Sequence, residues 1–129
     1  MWSLNCVLYR HYGKVNSTMM SEKILDLLQA ITLKDCQYNP SCVQTIAHAG
    51  ELGQQVFIYS DQTNYYFQAI GSPYLLAMTK WLVMQLQDKD KAALATFADI
   101  DIAKLQQMFD LPTHKRQDAL VILQLIEQL

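Results

Sequence analysis

The chain lacks an excess of either charge. Ten basic and twelve acidic residues among 129 leave a formal charge of −2, which gives no general attraction to nucleic acid or to an anionic membrane. Cysteines are few. Cys6, Cys36 and Cys42 form no CxxC pair, and no histidine stands at zinc-ligand spacing from them, so no metal site is expected. An odd count argues against a disulfide framework and fits a reducing compartment, which makes cytoplasmic residence the expectation. No apolar run approaches the roughly 18 residues needed to span a bilayer; Leu75 to Leu86 is interrupted by Thr79, Lys80 and Gln85. The opening MWSLNCVLYRHYGK has no charged region followed by a long apolar stretch, as a secretory signal would. Also missing are paired carboxylates in apolar surroundings, a glycine-rich phosphate loop and a nucleophile elbow. These absences argue against an independent enzyme, and no cofactor is expected.

What is present describes a globular domain. Apolar residues make up 51% of the chain and charged ones 17%, far from the composition of disordered segments. A mass of 14.8 kDa fits one domain with a single substantial core. Residues 1–20 show no clear period and contain Gly13, Asn16 and Ser17, so they are expected to form a flexible N-terminal extension. The pair Met19-Met20 just before a helix start fits translation beginning there. Residues 21–129 are expected to be the folded domain, without internal repeats or low-complexity tracts.

Ser21 is an expected N-cap, and Ile24, Leu25, Leu27, Leu28 and Ile31 follow at helical spacing, which predicts an amphipathic helix over 22–31. Asn39-Pro40-Ser41 breaks the chain. A second helix is predicted from Cys42 to about His48, capped by Ser41. Residues 55–60 alternate and are rich in β-formers. Asp61-Gln62-Thr63-Asn64 is a polar turn, and 65–70 is the partner strand. In strict alternation Tyr65 and Phe67 share a face opposite Tyr66. Ser72 and Pro73 then open a strongly apolar helix over 73–87, as N-cap and first helical residue. A charge-balanced turn over 88–91 precedes short helices over 91–96 and 101–109 and a final helix over 115–128. The fold class expected is α+β: a small antiparallel sheet packed against helices.

Several of these residues carry a resemblance. Gln55-Val56-Phe57 opens the first strand, Lys80-Trp81-Leu82 lies in the helix after the hairpin, Phe97 follows in the next short helix, and Arg116-x-x-Ala119-Leu120 opens the last helix. Their order and spacing resemble the SufE family, small proteins that accept sulfur from cysteine desulfurases for iron–sulfur cluster assembly. There the corresponding elements read Gln-Val-Trp, Lys-Gly-Leu, an aromatic-Asp segment and Ser-Arg-x-x-Gly-Leu. The resemblance covers roughly residues 21–129 and is best from Gln54 onward. It implies a SufE/IscU-like fold and, as partner, a cysteine desulfurase or an Fe–S scaffold protein. It implies a docking surface that includes Leu52, Gln55, Phe57 and Arg116.

The departures are equally specific. The family carries its sulfur on a cysteine four residues before the strand's valine, and that position here is Leu52. Persulfide transfer needs a thiolate that attacks a donor persulfide and is attacked in turn, which leucine cannot do. The Asp-Ser-Asp-like segment before the long helix is replaced by Ser72-Pro73-Tyr74, and the stretch between the first helix and the first strand is shortened. A displaced thiol is one reading: Cys42, ten residues before Leu52, would lie near the same loop if 42–48 is helical, with His48 as a possible base. The other is that Cys36 and Cys42 are ordinary cysteines. His11 and His114 read as tail and helix-entry residues.

Tyr59, Tyr65, Tyr66 and Phe67 gather around the hairpin, either as an interface or as core and edge-strand β-formers. Two alternatives belong to other classes: a protein-interaction domain unrelated to sulfur transfer, and a helix-turn-helix nucleic-acid module over 102–125 with His114-Lys115-Arg116 opening the recognition helix. The apolar content of that last helix and the net acidic chain weigh against nucleic acid.

Overall fold

The computed structural model describes residues 21–51, 53–87 and 99–129. The expected N-terminal extension, the helix over 91–96, Phe97, His11 and Leu52 lie outside the described residues. Among the described residues four helices and three strands follow in the order α1 (Glu22–Ala30), β1 (Gln44–Glu51), β2 (Gln54–Ser60), β3 (Tyr65–Ile70), α2 (Pro73–Gln87), α3 (Ile102–Phe109) and α4 (Arg116–Gln128). The strands form one antiparallel sheet in the order β1-β2-β3. The α+β expectation holds at that level: a three-stranded antiparallel sheet packed against four helices.

Capping chemistry sets most of the helix starts. Ser21 Oγ accepts from the Ile24 N–H and donates to the Phe109 carbonyl, at 3.3 and 2.8 Å, so the cap of α1 also ties it to the end of α3. Ser72 Oγ accepts from the Leu75 N–H at 3.3 Å, with Pro73 at the first helical position of α2. Asp101 caps α3 through the Lys104 N–H at 2.7 Å. α4 begins one residue later than expected, after a 3₁₀ turn over Thr113–Lys115.

The sheet has a dry face and an open one. Ala47, Ala49, Val56, Ile58, Phe67 and Ala69 point into the core, where they meet α2 and α4. α2 is buried along Tyr74–Thr79 and Trp81–Val83. Trp81 stands edge-on to Phe109 at 5.5 Å between ring centroids and fills core. Lys80 reaches across to Asp35 at 2.9 and 3.0 Å, pinning the 3₁₀ turn Leu33–Asp35 to α2.

One expectation is corrected. Residues 42–48 are not helical; Gln44–Glu51 is strand β1. Its inward residues are alanines, good helix formers with no β signature of their own. They are small because α4 packs against β1, and that tertiary context overrides the local preference. The ladder slips between Thr45 and Ala47, a bulge that lets Ile46 pack against the core as well.

Candidate functional site

The site implied by the resemblance centres on the turn joining β1 to β2, where Glu51 pairs with Gln54. Gly50 and Gly53 flank it with φ of +101° and +86°, left-handed values that favour glycine. At Gly50 a Cβ would stand 2.0 Å from the Gln54 carbonyl oxygen. The backbone closes on itself there and leaves no room for a side chain.

A buried carboxylate braces this turn from the far end of the chain. Asp118, in the first turn of α4, is 4% exposed. Its Oδ1 accepts from Gln54 Nε2, and its Oδ2 accepts from Ser72 Oγ at 2.5 Å. Three elements meet on one side chain: the start of β2, the N-cap of α2 and the first turn of α4. No cation faces it among these bonds; two neutral donors and the positive end of the α4 dipole compensate the charge. The sequence reading missed Asp118. The signal was there, since Asp118, Val121, Ile122 and Leu125 share one helical stripe, and an acid on an apolar stripe marks a buried polar contact.

Arg116 stands exposed one residue into α4, within the helical turn that holds Asp118. It makes no salt bridge with Asp99 or Asp101 among the described residues. Ala119 is fully buried, so a small residue is needed there for packing. Gln55 and Phe57 lie on the open face of the sheet, half-buried. The structure therefore brings Gln55 and Arg116 to the same end of the molecule, and Phe57 one step further along the sheet.

Cys42 goes elsewhere. It precedes β1, whose first residue pairs with the last of β2. Eight extended residues at about 3.4 Å each put it roughly 25 Å from the β1–β2 turn. His48, six residues further along an extended chain, is not its base. Cys42 is exposed and free, at an open pocket of about 500 Å³ lined by Gln37, Tyr38, Asn39, Cys42, Val43, Asp61 and Tyr66. That lining contains a carboxylate and none of the positive charge that surrounds nucleophilic cysteines. Cys36, by contrast, is buried and disulfide-bonded.

The open face of the sheet carries a row of rings. His48 stacks on Phe57 at 4.2 Å and 8°, and Phe57 runs parallel to Tyr59 at 6.2 Å. Tyr38 leans over Tyr59 and Tyr66 at 4.7 and 5.8 Å. The alternation expected for Tyr65, Tyr66 and Phe67 is observed: Phe67 is fully buried, Tyr65 packs against the core and Tyr66 lies outside. Burial, then the hydrogen bond with Tyr38, pushes the Tyr59 phenol up to about 12. At the β2–β3 turn the N–H groups of Asn64 and Thr63 hold the Asp61 carboxyl below the usual carboxylate range, and Tyr66 donates to it at 3.1 Å.

No cluster of three metal-ligating side chains occurs among the described residues, and no helix among them is long and apolar enough to cross a membrane. In α4 the apolar side is buried against the sheet and α2, which leaves a helix-turn-helix reading no free recognition face beyond Arg116, Gln117, Gln124, Glu127 and Gln128. Compared with models of known protein families and with curated proteins, the chain matches none.

Proposed function

We propose that this chain is a SufE-like accessory protein of iron–sulfur cluster assembly or sulfur transfer, which docks a cysteine desulfurase or an Fe–S scaffold protein without carrying sulfur at the family's position. The observation that carries the reading is the bracing of the β1–β2 turn by Asp118. It fixes the start of β2 against the first turn of α4, and on this reading Gln55 and Arg116, the chain neighbours of those anchors, belong to the surface offered to a partner. With leucine at position 52 the surface binds and does no chemistry. A guanidinium without an ion pair among the described residues suits a carboxylate on the partner.

Two variants test this. Leu52→Cys, incubated with a cysteine desulfurase and its substrate, is expected to gain the mass of one sulfur atom. Arg116→Ala is expected to retain thermal stability while capture of the desulfurase weakens about tenfold. An engineered thiol that stays unmodified beside a loaded family member, together with unchanged capture by Arg116→Ala, rejects the proposal.

The ring row supports a second reading, a protein-interaction domain unrelated to sulfur transfer. On that reading Tyr59 and Tyr66 matter for partner capture and Arg116 does not.

A further inference from the structure

A three-stranded sheet has two open edges, and among the described residues no further strand pairs with β1 or β3. Both edges are met by a glutamine amide. On β1, Gln128 Oε1 accepts from the His48 N–H at 3.0 Å while Gln128 Nε2 donates to the His48 carbonyl at 2.7 Å. On β3, Gln87 Oε1 accepts from the Tyr65 N–H at 3.0 Å while its Nε2 donates to the Thr63 carbonyl at 3.3 Å. Each glutamine is the last residue of its helix, α4 and α2 respectively. One such contact would be an ordinary side-chain bond. The two differ in one respect: Gln87 bridges Tyr65 and Thr63 where β3 begins, whereas Gln128 engages both backbone groups of one mid-strand residue.

The chemistry of the β1 contact is that of a ladder. In an antiparallel pair, a residue whose N–H and C=O point outward exchanges both with one residue opposite. The carboxamide of Gln128 offers the same donor and acceptor to His48. Open edges of this kind template pairing with another chain, and proteins blunt them by covering or occupying them.

We propose that Gln128 is an edge guard, holding the place of a neighbouring strand on β1, and that its displacement lets β1 of a second copy of this chain pair there. A second copy fits because the pairing is self-complementary. Antiparallel pairing centred on His48 sets Ala47 opposite Ala49 and Thr45 opposite Glu51, so no like charges oppose each other. His48 then exchanges with its own copy the two hydrogen bonds it now makes to Gln128, and the two sheets join into one.

The test compares the full chain with Gln128→Ala, an exposed position one residue from the end of the sequence. Sedimentation across a hundredfold range of protein concentration is expected to give monomer for the parent and a growing dimer fraction for the variant. Hydrogen exchange at the His48 amide is expected to speed at least tenfold in dilute variant and to slow again as the dimer forms. A variant that stays monomeric throughout overturns the proposal. So does a dimer in which His48 exchange is independent of concentration, or a parent already paired through β1.

Discussion

β2 is bounded by two turns that are held by different means. At Asp61–Asn64 the gripping carboxylate is local: Asp61 Oδ1 accepts from the N–H groups of Thr63 and Asn64 at 3.0 and 2.6 Å, and the Asp61 N–H donates to the Asn64 carbonyl at 3.2 Å, with Gln87 of α2 adding only longer amide contacts to Thr63 and Asn64. At the β1–β2 turn the anchoring group comes from 64 residues away, where Asp118 grips Gln54 and Ser72. A turn satisfied by its own side chains can form before the rest of the chain is placed. One that depends on a buried carboxylate exists only once α4 has docked, and it is then fixed relative to α2 and α4. The difference teaches where a presented surface belongs: at the turn whose position the whole fold determines.

The comparison breaks most visibly at Asp118. Asp118→Ala leaves the Gln54 amide and the Ser72 hydroxyl without their acceptor in a part-buried site, and the expected loss is about 2–4 kcal/mol in urea unfolding. A loss below about 0.5 kcal/mol would mean that water replaces the carboxylate and the turn is not braced by it.

The two glycines sharpen the contrast within the braced turn. Both have positive φ, but a Cβ at Gly50 collides with the Gln54 carbonyl, whereas at Gly53 nothing lies within 4 Å. Gly53→Ala carries only the backbone strain, about 1 kcal/mol. Gly50→Ala adds the clash and is expected to cost at least about 2 kcal/mol. Equal losses in thermal denaturation would show that the turn opens freely.

The smallest effect belongs to the local turn, and it appears as a pH dependence. Backbone N–H groups depress the Asp61 carboxyl below its ordinary 3.8 in the folded chain. Such a group adds stability that is complete above that ordinary value and is lost as pH falls through the lower folded value. Asp61→Ala should therefore be slightly less stable than the parent near neutrality, with the gap closing in acid. A gap that widens in acid would assign the wrong sign to Asp61.

The sequence alone made the β2–β3 hairpin legible, because alternating β-formers, a polar turn and Gly71-Ser72-Pro73 are all local signals. The same holds for the caps at Ser21 and Ser72. The strand β1 was not legible. Its alanines prefer helix, and only the close approach of α4 makes them a sheet face. Cys42 was misplaced for the same reason, since a helix over 42–48 would have folded it back toward position 52, while the strand carries it to the opposite end.

The site divides likewise. Leu52, Gln55, Phe57 and Arg116 were named on their place in an ordered set of motifs, which says nothing about contact. Asp118, Gln128 and Gln87 act through partners 22 to 80 residues away in sequence, and no local pattern encodes such a partner. The sequence by itself determined the elements whose hydrogen bonds close within a few residues. Only the tertiary structure decided which edges, turns and carboxylates meet, because burial and long-range hydrogen bonding depend on what the rest of the chain brings against each residue.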